Sequence, residues 1–415
     1  MRATKYHTGR KILLVLLAIF LVSVAVYFVR FAIHKKSPET FGSYTLEGQA
    51  FDLSLFPSLT IDAESENLRV MQIADPQIKF GFMTHDKKTM DLLDRAIRAE
   101  NPDICVVTGD LTMSVFTYDA YKFFADFMEE REQYWTLTWG NHDLEFDSSA
   151  YTLSNLLSGY EYCLFDVGPS DIKGDSNFVI PVYRDGESIP AYALILMDSG
   201  MYPEEGGGLS WIYDSFDKSQ LDFYAWAIEG LQSINPDIAS SLYFHIPTQE
   251  LAMMYYKSLG EDAPFDTSDL LDVREVSGTV CEGEKDPEEC VDEGYTVGIY
   301  YQGENTGLYD LAKQYGSTKA MFVGHDHANT FRGFYGDIYL AYGRCTGYHT
   351  YPLFKKENFL TKLLGLSDEL YFNQQLWQDE NGTPYEKGVT VIDISLRAED
   401  YGAHNVYDKA DSELK

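Results

Sequence analysis

The longest apolar block in the chain runs from Ile12 to Val29, eighteen residues without a charge, and Phe31 to Ile33 extend it beyond Arg30. At 1.5 Å per residue that block covers roughly 27 Å, close to the hydrocarbon thickness of a bilayer. Every face is apolar and basic residues close both ends, which a buried core helix would not show. The block is longer than the apolar region of most cleaved signal peptides, and no small-x-small site follows it, so residues 12–33 read as a membrane anchor. Arg2, Lys5, Arg10 and Lys11 precede it, against Arg30, Lys35 and Lys36 after it. That balance predicts a cytoplasmic segment 1–11 and a catalytic body outside the cytoplasm.

Beyond an irregular lead-in over 34–66 with short extended pieces, the pattern alternates between strand and helix. "LRVMQIA" from Leu68 reads as a strand, "KKTMDLLDRAIRAE" as an amphipathic helix, and "DICVVTG" as a strand buried on both faces. "YDAYKFFADFMEERE" is helical and "YWTLTWG" is a strand again. Strand, helix, strand, helix, strand implies parallel pairing with right-handed crossovers. Further strands are predicted at "NFVIPVY", "YALILMDSG", "SSLYFHIP", "KAMFVGHD", "DIYLAYGR" and "GVTVIDISL", with a helix over "SQLDFYAWAIEGLQ". Many strands and few helices predict two packed sheets flanked by helices.

The 415 residues, 45% of them hydrophobic, suffice for a large core, and neither a repeat nor a Pro- or Gly-rich linker divides them, so residues 67–415 read as one domain. The formal charge is −33, yet residues 1–36 hold seven Lys and Arg and no Asp or Glu, leaving 25 basic residues against 65 acidic ones beyond them. Such a body repels nucleic acid, and a phosphate site on it depends on bound cations. Of five cysteines, Cys281 and Cys290 bracket an acidic stretch and read equally as a small disulfide loop or as free thiols. Cys105 lies in a strand pattern and reads as packing.

The chemistry sits where the strands stop. The first ends on Asp75 and Gln77, the second on Gly109 and Asp110, and the third on "GNHD", Gly140 to Asp143. "YFHIP" supplies His245, and "FVGHDHAN" supplies His325, Asp326 and His327. Singly, each is an ordinary turn, cap or hydrogen-bonded residue. Together they place four of the nine histidines directly after apolar runs. Two divalent ions about 3.5–4 Å apart can share a carboxylate and a hydroxide and neutralise a phosphoryl group, which calls for carboxylates, imidazoles and amide oxygens.

D-x-Q, GD, GNHD, H and GHDH, in this order over about residues 68–350, resemble the calcineurin-like metallophosphoesterases, the superfamily that includes purple acid phosphatases. "SSLYFHIPTQE" and "YGRCTGY" look more like its small purple-acid-phosphatase-like branch of fungi and plants. The resemblance implies a four-layer α/β/β/α sandwich. It implies one metal on Asp75, Gln77, Asp110 and His327, and a second on Asp110, Asn141, His245 and His325. His142 would stand beside the leaving group with Asp143 orienting its ring, Asp326 would be structural, and a hydroxide shared by the two ions would attack phosphorus in line. Most members have His where this chain has Gln77. A neutral, harder carboxamide oxygen tilts that position toward manganese or iron and away from zinc.

Weaker candidates surround this set. Arg344 reads either as a substrate-phosphate contact or as a structural ion pair. Tyr342, Tyr348 and His349 read as candidates for the same rim, and Glu250 as a solvated residue. The stretch "CEGEKDPEECVDEG" lacks calcium-loop spacing and reads as a solvated acidic loop. Residues 353–387 read as an insertion without chemistry. The expected function is a membrane-anchored phosphatase. A phosphodiesterase of lipid head groups or envelope polymers is its first rival, and a non-catalytic, metal-stabilised binding protein its second.

Overall fold

The computed structural model describes residues 2–81, 83–203, 213–258, 291–293, 299–327, 329–350 and 386–414. Cys281, Cys290, most of the acidic stretch between and after them, and residues 353–385 lie outside the described residues.

The N-terminal helix α1, Arg2–His34, carries an apolar span over Lys11–His34, none of it buried, that is long enough to cross a bilayer. Two sheets follow. The smaller comprises β2 (Asn67–Ile73), β3 (Ile104–Thr108), β4 (Trp135–Thr138), β12 (Gly388–Ser395) and β13 (His404–Ala410), in the order β13-β12-β2-β3-β4. The larger contains β1 (Leu59–Ile61), β5 (Phe178–Arg184), β6 (Tyr192–Leu196), β7 (Ser240–Tyr243), β8 (Val291–Glu293), β9 (Thr318–Val323), β10 (Arg332–Tyr335) and β11 (Ile338–Tyr342). Its order is β1-β5-β6-β7-β9-β11-β10-β8. The predicted β2-β3-β4 unit is parallel, with α2 (Thr84–Glu100) and α3 (Thr117–Glu129) as its crossovers.

Alternation along the strands builds the layers. In β2, Leu68 and Val70 face the second sheet together with Ile104, Val106 and Ile392 of their own sheet, and Ile180, Leu194 and Phe322 meet them from the other. Met71 and Ile73 face outward onto Leu92, Leu93, Phe124 and Leu153 of α2, α3 and α4 (Ala150–Leu157). Residues of both parities are therefore buried, which is why these strands read as unbroken apolar runs. On the far side, α5 (Lys218–Ile234), α6 (Gln249–Ser258) and α7 (Leu308–Tyr315) cover the larger sheet through Phe223, Ile228, Leu231, Leu251 and Leu308. The result is the four-layer sandwich. Cys105 packs, fully buried, with Met71 and Ile73 in the core beneath α2, α3 and α4.

Several elements went unread in the sequence, among them β8, β10, α4, α6 and α7. Of the extended pieces in the lead-in, β1 joins the edge of the larger sheet beside β5. The strand β13 escaped because "HNVYDKA" is half-exposed along its length and closes the smaller sheet as an edge.

Candidate metal centre

Five parallel strands, β2, β3 and β4 in one sheet and β7 and β9 in the other, deliver the motif residues at their carboxyl ends, where the two sheets meet. The backbone turns sharply there. Asp75, Gln77, Asp110 and His325 have φ of 51°, 42°, 51° and 78°, a region non-glycine residues seldom occupy. Tertiary hydrogen bonds hold these turns: Gln77 N donates to Asp110 O (3.0 Å) and Ile78 N to Leu111 O (2.8 Å). Two glycines permit the close approach. A Cβ on Gly109 would strike the His245 ring, and one on Gly140 would strike the backbone and carboxylate of Asp110.

Asp75, Gln77, Asp110, Asn141, His245, His325 and His327, spread over some 250 positions, form one network in the fold. Gln77 Nε2 lies 3.3 Å from Asp110 Oδ2 and 3.1 Å from His327 Nε2. His327 Nε2 lies 3.3 Å from Asp75 Oδ1. On the other side of Asp110, His245 Nε2 is 3.4 Å from its Oδ1, 3.0 Å from Asn141 Oδ1 and 3.2 Å from His325 Nδ1. Donor atoms of Asp75, Asp110 and His327 all fall within 4.8 Å of one another. The carboxylates, His245 and Asn141 are almost wholly shielded from solvent.

The donor chemistry fits cations. His245 Nδ1 lies 2.8 Å from the Thr108 carbonyl, so its proton is committed there and Nε2 points a lone pair into the cluster. Burial and the neighbouring His245 hold His325 well below the usual histidine range, in its neutral, ligating form. Burial pushes Asp110 up, but the surrounding His245 and His142 more than offset it and hold the group down at about 2. A half-turn of the Gln77 amide about its last torsion exchanges nitrogen for oxygen at the same point, so a carboxamide oxygen also reaches the cluster. Carboxylates, neutral imidazoles and amide oxygens together suit divalent first-row metals.

His142 stands at the mouth, its Nε2 4.0 Å from Asp110 Oδ2 and its backbone N donating to Asp110 Oδ1 at 2.9 Å. Asp143 does not touch the His142 ring as expected. It is buried, and its carboxylate accepts from Gly140 N (2.8 Å) and Thr112 N (3.1 Å), fixing the turn that carries Asn141 and His142. Burial and the Asp110 charge push Asp143 up to about 7. The carboxylate beside the ring is Glu145, whose Oε2 lies 3.0 Å from His142 Nδ1 within the same turn. Burial pulls the His142 ring down, but Asp110 and Glu145 outweigh it and hold it at about 9, the protonated form at neutral pH. Glu145 went unread in the sequence; an acid three residues after the motif histidine is the signal that could have found it.

The rim differs from expectation. Tyr342 is fully buried, its hydroxyl donating to Asp326 Oδ2 at 2.6 Å, so both are structural. Tyr348 donates to Asp411, and His349 pairs with Asp86 at 2.9 Å. Glu250 is buried and accepts from Asn305 at 2.6 Å, a structural role in place of a solvated one. Arg344 donates to the Glu386 carbonyl at 2.8 Å and lies 3.4 Å from Asp408, which is the structural ion pair and not a phosphate contact. The aromatic ring against the cluster belongs to Tyr213, edge-on to His325 with centroids 4.3 Å apart.

The chain is 25% identical over 316 residues to "Probable inactive purple acid phosphatase 28" of Arabidopsis thaliana, covering 68% of this chain and 71% of that protein. It is 24% identical over 305 residues to "Phosphatase DCR2" of Saccharomyces cerevisiae, covering 65% of this chain and 46% of that one. Among solved structures it is similar to a dimetal phosphatase from Danio rerio, with 12% identity, a TM-score of 0.46, and coverage of 84% of this chain and 97% of that one. The profile of the calcineurin-like phosphoesterases matches residues 68–329, most of the chain, and the chain belongs to that family.

Proposed function

We propose that this chain is a membrane-anchored phosphatase with a dinuclear centre. Asp75, Gln77 and His327 would hold one ion and Asn141, His245 and His325 the other, with Asp110 between the two sets able to serve both. The observation that supports this most is the position of Asp110, whose two carboxylate oxygens face the two halves of the set. Two divalent ions there supply an activated water and neutralise phosphoryl charge. The chain's own side chains do the rest. His142, protonated beside Asp110 and Glu145, donates a proton to the departing alkoxide, and Glu145 fixes the ring that does so. Asp143 positions that turn from beneath.

Gln77 favours manganese or iron over zinc in the first position. The names of the Arabidopsis relatives carry the word inactive. In this chain the presence of all seven donors, with His142 in place, supports turnover and speaks against a purely structural metal site. The apolar span of α1 supports an anchor over 12–33, with a cytoplasmic N-terminus, a lead-in to residue 66 and the catalytic domain from 67 outside the cytoplasm. Elemental analysis of the purified protein, paired with hydrolysis of p-nitrophenyl phosphate and bis-p-nitrophenyl phosphate before and after chelation, tests the reading. Metal-dependent cleavage of the monoester is expected. Preferred cleavage of the diester would make the enzyme a phosphodiesterase, and retained activity after complete metal removal would end the proposal.

A further inference from the structure

The end of α1 is docked on the loops that run out of the metal centre. Arg30 pairs with Asp119, the Tyr27 ring meets Phe116 at 5.9 Å, and His34 stacks on Tyr118 at 4.4 Å. These partners follow Asp110 by six to nine residues. Lys35 Nζ donates to the carbonyls of Leu144 (2.5 Å) and Ser148 (3.1 Å), and Ser149 N donates to the His34 carbonyl (3.0 Å). Those carbonyls begin two residues after His142. No spacer therefore separates the apolar span from the site: its last two turns and the mouth of the cluster share one surface.

That surface carries an exposed apolar patch among polar side chains such as His85 and Glu145. Outside α1 the described residues expose seven large apolar side chains, and three of them, Met83 (40%), Met113 (37%) and Val115 (38%), sit on the two loops leaving Gln77 and Asp110. The loops are tied together by the Ile78–Thr112 bridge and by the contact of Phe80 with Phe116 at 5.8 Å, and Phe116 in turn touches Tyr27. Lys87, four residues after Met83, and Lys36, two residues past the end of α1, are both exposed in an otherwise strongly acidic protein. Apolar side chains continuous with a membrane span and accompanied by exposed lysines suit the interface of a bilayer with anionic head groups.

We infer that Met83, Met113 and Val115 dip into the bilayer surface from which α1 emerges, so that the metal centre opens onto the membrane and takes phosphate esters carried by lipids. This rests on the anchored-phosphoesterase reading and names its substrate class. The phosphate ester is the same chemistry whether acylated or free; the proximity of the mouth to the bilayer selects the acylated source.

The test uses the full chain in phosphatidylcholine vesicles. A fluorescent residue placed at Met113 is expected to be quenched by doxyl-labelled lipid. The same probe at Ile189, on the turn before β6 at the opposite end of the sheets, is expected not to be. Equal, weak quenching at both positions would overturn the inference, as would protection of Met113 that appears only as protein density in the vesicles rises, which indicates a second copy. In parallel, phosphatidic acid in the vesicles is compared with glycerol phosphate in solution. A Met83→Gln, Met113→Gln, Val115→Gln variant is expected to lose roughly tenfold on phosphatidic acid while keeping its rate on p-nitrophenyl phosphate. An unchanged phosphatidic acid rate, or wild-type cleavage of glycerol phosphate but not of phosphatidic acid, would overturn it. Failure of the wild type on every ester would sink the phosphoesterase reading instead, with quenching still deciding whether the rim meets lipid.

Discussion

His245 Nε2 and His325 Nδ1 face each other at 3.2 Å, with Asn141 Oδ1 3.0 Å from the same His245 atom. Three lone-pair atoms this close repel unless a proton or a cation lies among them, and the His245 proton is held by Thr108 on the other side of the ring. Metal binding should therefore stabilise the fold as well as activate it. Chelation is expected to cost about 3 kcal/mol of stability, the linkage for a ligand at about 100 times its Kd, and to lower the melting temperature by several degrees. Calorimetry with and without chelator, followed by add-back of manganese, measures it; an unchanged melting curve would argue against a cation at this point.

Gln77 brings its amide within reach of both Asp110 and His327. Gln77→His is expected to raise zinc content and lower the manganese or iron requirement. Metal analysis of both proteins after reconstitution from equimolar mixtures checks this, and identical occupancy would remove Gln77 as the selector.

His142→Ala, with both metals retained, is expected to reduce kcat by roughly 10²–10⁴. Glu145→Gln should reduce it less, by about tenfold, because the ring remains but loses its charged neighbour. The discriminating readout is the leaving group: both losses should shrink for p-nitrophenol, which departs without a proton, and grow for an alkyl alcohol.

Asp86 is the anchor of the loop after Gln77. Its buried carboxylate accepts from Lys79 N (2.9 Å), Phe80 N (3.1 Å) and Met83 N (3.2 Å), and pairs with His349. Burial pushes this acid up, but His349 and the two amides from Lys79 and Phe80 prevail and hold it below the ordinary carboxylate range. A depressed folded-state pKa adds stability above the unfolded value and loses it as pH falls through the folded one. Asp86→Asn is expected to cost about 1–3 kcal/mol at pH 7 and to flatten the acid limb of the stability curve. Urea unfolding at pH 7 and pH 4 reads both effects.

Arg344→Met is expected to leave KM for soluble phosphate esters unchanged and to lower stability by about 1 kcal/mol, since its head is engaged by Glu386 and Asp408. A raised KM alone would restore it to the substrate side.

Much of this was legible in the sequence because the strands buried on both faces end abruptly. An apolar run that stops at Asp75, Asp110, Asn141, His245 or His325 marks both a strand end and a donor. What escaped depended on three-dimensional context. Asp143 and Glu145 are both acids beside His142, and only the conformation of the turn decides that one reaches backbone amides and the other the ring. Tyr342 and Arg344 lie two residues apart next to a motif, yet β11 ends at Tyr342, which turns into the core, while Arg344 beyond the strand end meets Asp408 of the C-terminal hairpin. The eight-residue helices α4 and α7 are too short to show clear periodicity.

The pairing of β2 with β12 sets an order for assembly. Val70 lies opposite Ile392 in the register, so one flank of the strand carrying Asp75 stays open until residues more than 300 positions later have been synthesised. At about 5–20 residues per second this delay is on the order of tens of seconds. Throughout it, an unsatisfied strand edge stays open on the nascent chain, which makes that chain a client for chaperones until β12 arrives.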